Sequence, residues 1–324
     1  MKVLFIGGTG IISSAVSQLA VKRGIELYHF NRGKSHRKIE GVKHITGDIR
    51  NVKQTKEQLK NFHFDVVVNW ITFAPEQAKS DIKIFSGITD QFIFISSASA
   101  YEKPISKLPI TEETPLNNPY WQYSRDKATC EEIFLNAWKE KKFPVTMVRP
   151  SHTYDNTLIP NDWGYTVLDR IIKGKKIIIQ GDGTSLWVLT HNTDFAVGFV
   201  GLFGKKEALG EAYQITSDEL LNWNQIYQMM SDELKVPLNA VHIPSDFIAQ
   251  FDPEHGAGLL GDKAYSVIFD NSKIKKLVPE FNCKIPFSEG VKDIISWYKE
   301  KKEWQVVNKE IDARIDEIIL AYEK

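Results

Sequence analysis

Tyr123 and Lys127, within the run Tyr123-Ser124-Arg125-Asp126-Lys127, have the types and spacing to do chemistry. Residues four apart share one face of a helix. An ammonium beside a phenol favours its ionised form, so a group with an ordinary pKa of about 10 can lose its proton nearer neutrality. General acid–base catalysis wants that match. Two other pieces precede this pair. Gly7-Gly8-Thr9-Gly10 follows the apolar run Val3 to Ile6, and Ser96-Ser97-Ala98-Ser99-Ala100-Tyr101 follows the apolar run Phe92 to Ile95. Gly7 and Gly10 permit a tight turn and a close backbone approach to a pyrophosphate whose charge sits at a helix N-terminus. Ser13 stands at the third glycine position of that fingerprint, where a small side chain still lets helix and strand pack.

The elements that must position these residues alternate along the first half. Val3–Ile6, Glu26–Phe30, Val42–Thr46, Asp65–Trp70, Phe92–Ser96 and Val145–Arg149 read as strands, with helical periodicity in Ser14–Arg23, Lys53–Asn61, Pro75–Gly87 and Ser124–Lys141. Such alternation implies an α/β fold, a Rossmann-like doubly wound parallel sheet covered on both faces. After Pro150 the pattern loosens. Ile177–Gln180 and Ala212–Ile215 read as strands, and Thr193–Phe203 and Trp223–Leu234 as helices. From Glu310 onward Ile311, Ile315, Ile318, Ile319 and Tyr322 fall on one helix face, expected to dock on its own domain.

The end of the second strand bears on the cofactor. An acidic residue there would hold the adenosine ribose and repel a 2′-phosphate. Asn31-Arg32-Gly33-Lys34, followed by His36, Arg37 and Lys38, offers cations instead, which favours NADP over NAD. The whole chain of 324 residues has 41 basic and 41 acidic side chains, so no global field draws it to nucleic acid or to an anionic membrane. Cys130 and Cys283 are too few for a disulfide framework or a metal site, and the opening apolar run is too short for a signal peptide or a span. A cytoplasmic, metal-free protein is expected.

Together these motifs resemble the extended short-chain dehydrogenases/reductases, the NAD-dependent epimerase/dehydratase family, from Met1 to about Trp297. The resemblance implies an NAD(P)-binding Rossmann domain over residues 1–168, with 190–217 returning to it, and a smaller C-terminal substrate-binding lid from 169–189 and 218–300, leaving 301–324 as a C-terminal helix. It implies cofactor contacts at Gly7, Thr9, Gly10, Ile11, Ile12, Asn31, Arg32, Asp48, Ile49, Trp70, Ile71, Lys127 and Pro150. The register to Tyr101 selects Ser97 as the hydroxyl that bonds the substrate oxygen. Tyr123 would exchange the proton, and Lys127 would hold the nicotinamide ribose and lower the tyrosine pKa.

Family members that eliminate water carry Asp-Glu where this chain has Ala98-Ser99, so a dehydratase is not expected. On the substrate side, His152 replaces an asparagine, and Trp187 and Leu259 stand where nucleotide-sugar enzymes place arginines on a diphosphate. Ser99, His152, Trp187 and Lys263 are the substrate candidates, and Trp187 with Trp163 and Tyr165 could stack on a sugar ring. The expected function is an NAD(P)-dependent oxidoreductase or epimerase acting at a hydroxyl or carbonyl carbon of a small, sugar-like molecule. A nucleotide-sugar 4-epimerase with unusual phosphate contacts and an RNA-binding member of the superfamily are the alternatives. Nucleic acid and membrane partners are not expected, and a homodimer stays open.

Overall fold

Val66-Val67-Val68 and Phe92-Ile93-Phe94 are buried on both faces, as strands in the middle of a parallel sheet must be. The computed structural model describes residues 1–35 and 37–324; His36, one member of the basic run, lies outside the described residues. In chain order come β1 (Lys2–Ile6), α1 (Ile11–Lys22), β2 (Glu26–Asn31), β3 (Lys43–Thr46), α2 (Val52–Leu59), β4 (Val66–Asn69), α3 (Pro75–Phe85), β5 (Phe92–Ile95), α4 (Gln122–Lys141) and β6 (Val145–Pro150). There follow β7 (His152–Tyr154), α5 (Tyr165–Ile172), β8 (Ile177–Gln180), β9 (Leu186–Trp187), β10 (Leu189–His191), α6 (Asn192–Gly201) and β11 (Ala212–Ile215). The last part holds β12 (Leu221–Asn222), α7 (Trp223–Leu234), β13 (Ala240–Ile243), α8 (Ser245–Phe251), α9 (Pro253–Gly258), a π-helical turn Leu259–Lys263, α10 (Ser272–Leu277), α11 (Phe287–Glu300) and α12 (Lys309–Tyr322).

Seven strands form one parallel sheet in the order β3-β2-β1-β4-β5-β6-β11. The order reverses beside β1, where β2 lies on one side and β4 on the other, and open α/β sheets bind ligands at such a point. Period-two alternation sends Val3 and Phe5 to one face and Leu4 and Ile6 to the other. The first face packs on α1 and α6, the second on α3 and α4, each through apolar side chains.

A third core, around Trp163, Trp187, Trp223 and Ile178, lies beyond the strand ends and carries the paired strands β8–β13 and β9–β12. Its limits differ from those read in the sequence. Val167 and Leu168 already belong to it, whereas Ile274, Val278 and Phe281 pack in the sheet core against α6, inside the span expected to be lid. Helix α12 joins the lid core through Ile315, Ile318 and Ile319, and the buried Arg170 on α5 pairs with its Asp312 and Asp316. The two- and three-residue strands β7, β9, β10 and β12 are too short to leave a periodic signal. Among the described residues, no helix is long and apolar enough to cross a membrane.

Candidate active site

Beyond Ile6 the chain turns through Gly7 and Gly8 at φ +96° and +97°, conformations that disfavour any side chain. A Cβ at Gly8 would fall 2.5 Å from the His29 ring. Burial holds that imidazole down at about 4, and it bonds the Ser17 hydroxyl at 2.9 Å. The backbone N–H of Gly10 donates to Ser13 Oγ at 2.8 Å, so the serine in the third fingerprint position also closes the first turn of α1.

A groove of about 450 Å³ opens along this turn and the ends of β2 and β4. Gly7, Thr9, Asn31, Arg32, Asp48, Ile49 and Ile71 line it, together with Lys34. Gly10, Ile11 and Ile12 start α1 beside it, and the Ile11 carbonyl accepts from Asn192 Nδ2 at 2.9 Å. Trp70 turns its ring away into the sheet core, against Phe5 and Phe199 at 5.5 and 4.9 Å. The basic run divides. Arg32 and Lys34 stay exposed on the groove, while Arg37 donates to Ser14 Oγ at 2.7 Å and faces Asp155 at 3.5 Å. A glycine turn entering a helix N-terminus, with a groove running to cations at the end of β2, fits a dinucleotide.

Next to the groove lies a chamber of about 270 Å³. It brings together Ser97, Ser99, Tyr123, Pro150, His152, Trp187 and Lys263, all singled out from the sequence. The Ser97 and Ser99 hydroxyls are 2.9 Å apart, and Ser124 Oγ bonds Ser99 Oγ at 2.8 Å. Asn118 Nδ2 donates to the Ser99 carbonyl at 2.7 Å and to the Gly261 carbonyl at 2.5 Å, tying the serine turn to the lid. Helix α4, which carries Tyr123 and Lys127, is clamped to β6 by a buried bidentate pair, Arg149 to Glu131 at 2.9 and 2.6 Å. Arg149 also reaches Tyr101, the marker residue, at 3.2 Å.

Lys127 sits between groove and chamber, with its Nζ 4.7 Å from the centre of the Phe73 ring and 5.6 Å from that of Tyr123. Its ammonium donates to the carbonyls of Thr72 and Ile95, both at 2.7 Å. Burial lowers its pKa to about 8. The expected lowering of the tyrosine is not found among the protein's own groups. Burial pushes Tyr123 up to about 12, a hydrogen bond with Ser97 opposes that shift, and the Asp262 charge adds to it. The lysine's charge is directed at two carbonyls rather than at the phenol oxygen, so desolvation wins.

Behind Thr72 stands a group that the motif reading missed. Asp81 on α3 accepts from Thr72 Oγ1 at 2.6 Å and from Asn69 Nδ2 at 2.9 Å, and thereby fixes the turn whose carbonyl receives Lys127. Burial raises this carboxyl to about 7. Its signal was in the sequence, because Ala78, Asp81, Ile84 and Phe85 share the buried face of α3. Asp162 and Asp262 in the chamber wall were missed as well, the former for want of any motif. Lys263 Nζ lies 3.1 Å from Asp162, which also faces His255 at 3.4 Å. Although burial acts to raise it, those two partners hold the Asp162 carboxyl below the usual range. His152 is pushed down to about 4, first by burial and then by Lys263. Trp163 stacks on His255 at 4.2 Å and Tyr165 on Tyr298 at 5.4 Å, so neither lines the chamber with Trp187.

A model of the NAD dependent epimerase/dehydratase family matches residues 3–216, which include the glycine turn, the serine run and the Tyr123/Lys127 pair. The chain belongs to this family. Its relatives include reductases, epimerases and dehydratases. The 2′-dehydrokanamycin reductase of Streptomyces kanamyceticus is 24% identical over 261 residues, 78% of this chain and 71% of the relative. The chloroplast stem-loop binding protein of 41 kDa b from Arabidopsis thaliana is 26% identical over 239 residues, 69% of this chain but only 60% of its own length. Among solved structures, the UDP-glucose 4-epimerase from Bifidobacterium longum in complex with NAD+ and UDP superposes with a TM-score of 0.74 at 17% identity, over 94% of this chain and all of the other. The family match ends at residue 216, so the lid wall that holds Asp262 and Lys263 lies outside it.

Proposed function

We propose that the protein is an NAD(P)-dependent oxidoreductase or epimerase acting at a hydroxyl or carbonyl carbon of a sugar-like substrate. The observation that carries this reading is the placement of Tyr123 and Ser97 on one chamber, with Lys127 between it and the cofactor groove. Nicotinamide, when bound, supplies the hydride donor or acceptor. Ser97 orients the substrate oxygen. Tyr123, held protonated at neutral pH, gives that oxygen its proton in the reductive direction and recovers it in the oxidative one. Lys127, anchored on Thr72 and Ile95, keeps a third N–H to give to the cofactor. Arg32 and Lys34 on the groove support NADP as the preferred form.

Ala98 and Ser99 offer no acid–base pair for water elimination. The reductase relative supports net redox chemistry, and the named substrates of the epimerase relatives are nucleotide sugars. Against a nucleotide sugar stands the pairing of Lys263, the one cation of the chamber wall, with Asp162. Tyr123→Phe tests the reading. It is expected to abolish hydride transfer, followed by nicotinamide absorbance across a carbonyl panel, and to leave cofactor affinity within threefold. Retained turnover removes Tyr123 from the catalytic role.

A further inference from the structure

The chamber wall has a charge pattern and a set of unsatisfied atoms that together describe its ligand. Its one ammonium, Lys263, is buried, lies 3.1 Å from Asp162 and sits near the Trp121 and Trp187 rings at 5.8 and 5.9 Å. Asp262 adds a carboxyl group that accepts no hydrogen bond from the described residues. Lys103 is close enough to act on it electrostatically, but its own buried Nζ makes no hydrogen bond and lies outside the lining. Burial raises the Asp262 carboxyl against the pull of Lys263 and Lys103, so the chamber presents one unpaired carboxyl group beside an ammonium already paired with Asp162.

Two neutral groups of the same wall are also unsatisfied. His152 Nε2 and Trp187 Nε1 are buried without a partner. Buried polar atoms are almost always bonded, so two orphans on residues that line the chamber are candidates to bond a ligand there. These atoms suit hydroxyl groups, which donate to Asp262 and to an imidazole nitrogen and accept from an indole N–H. They do not suit a diphosphate, which needs free charged donors, because the wall's one ammonium is already paired with Asp162. The volume, about 270 Å³, is near the lower limit of ~300 Å³ for small-molecule pockets.

We propose that the lid chamber binds an unphosphorylated polyhydroxylated substrate, a free sugar or cyclitol, with Asp262, His152 and Trp187 bonding its hydroxyls. This rests on the oxidoreductase reading for the site and goes beyond it in naming the substrate class. Asp262 bonds a ring hydroxyl and fixes the ring opposite Ser97 and Tyr123. Trp121 and Trp187 supply apolar ring surface to the same chamber.

The test uses the full chain loaded with NADPH, with cofactor binding measured first by nicotinamide fluorescence. Failure at that step counts against the oxidoreductase reading alone, and polyol binding is then still read on the protein without cofactor. Saturation-transfer NMR and calorimetry follow with glucose, myo-inositol, glucose 1-phosphate and UDP. At least one polyol should bind at millimolar concentration or below, and both phosphorylated probes at least tenfold more weakly. Asp262→Asn, which keeps the shape, should weaken the polyol by tenfold. Trp187→Phe, which keeps a ring and removes the N–H, should weaken the polyol as well. Tighter binding of UDP than of any polyol overturns the proposal. So does the absence of polyol binding at 50 mM, or an Asp262→Asn variant with unchanged affinities.

Discussion

Asp81→Asn probes the support of the site without needing the substrate. The carboxyl is buried, and its burial raises it from 3.8 in the unfolded chain to about 7 in the fold. A carboxyl raised by folding holds its proton more tightly in the native state, so its contribution to stability is fully present below pH 3.8 and is lost as pH rises through about 7. At 1.36 kcal/mol per pH unit, the whole interval is worth roughly 4 kcal/mol, and the part between pH 5 and pH 8 roughly 2.5 kcal/mol. Asparagine cannot titrate. Its oxygen can accept from Asn69 Nδ2 in place of the carboxylate, and its N–H can donate to Thr72 Oγ1, so the turn that seats Lys127 should persist. The variant is therefore expected to lack this pH-dependent loss. Relative to the wild type, it should gain roughly 2.5 kcal/mol of stability on going from pH 5 to pH 8. Urea unfolding followed by tryptophan fluorescence at the two pH values measures the difference, and titrating groups common to both proteins cancel in it. Parallel pH profiles for the two proteins would refute the assignment of a raised carboxyl. A tenfold loss of cofactor affinity at pH 7 would show that the turn had moved.

Lys127→Ala should weaken cofactor binding at least tenfold and slow turnover. Wild-type affinity should also fall as pH rises through about 8, where the ammonium is lost, and the variant should be flat there; a pH titration of nicotinamide fluorescence decides it. Arg32→Ala should cost NADPH about 1.5–3 kcal/mol, one charge-assisted hydrogen bond, and leave NADH unchanged by calorimetry; equal losses would mean that the groove's cations do not read the 2′-phosphate. Gly8→Ala places a methyl 2.5 Å from the His29 ring at φ +97°. It should lower stability by at least ~2 kcal/mol in thermal melts, and a melting temperature unchanged within 2 °C would contradict the close approach.

Much of this architecture was determined locally. Val3–Ile6 and Phe92–Ile95 are apolar enough to be buried on both faces, and each ends at a turn whose residues, Gly7 and Ser97, are set by backbone continuity. A strand end, a glycine turn and a helix start are neighbours in the chain, so their positions in space follow from their order. Tyr123 and Lys127 needed only helical spacing. The electrostatics did not follow in the same way. Whether Lys127 faces the phenol or two carbonyls depends on Thr72, fifty-five residues away, and the Tyr123 pKa depends on how much of the lid closes over it. Asp81 could be placed on the buried face of α3, but its partners belong to another element. Lys263 was legible as a nearby cation, yet its charge is cancelled by Asp162, about a hundred residues earlier and in no motif. Desolvation and ion pairing are properties of what surrounds a group, and the surroundings here are assembled from distant segments, so the character of the site was decided only when the lid packed onto the sheet.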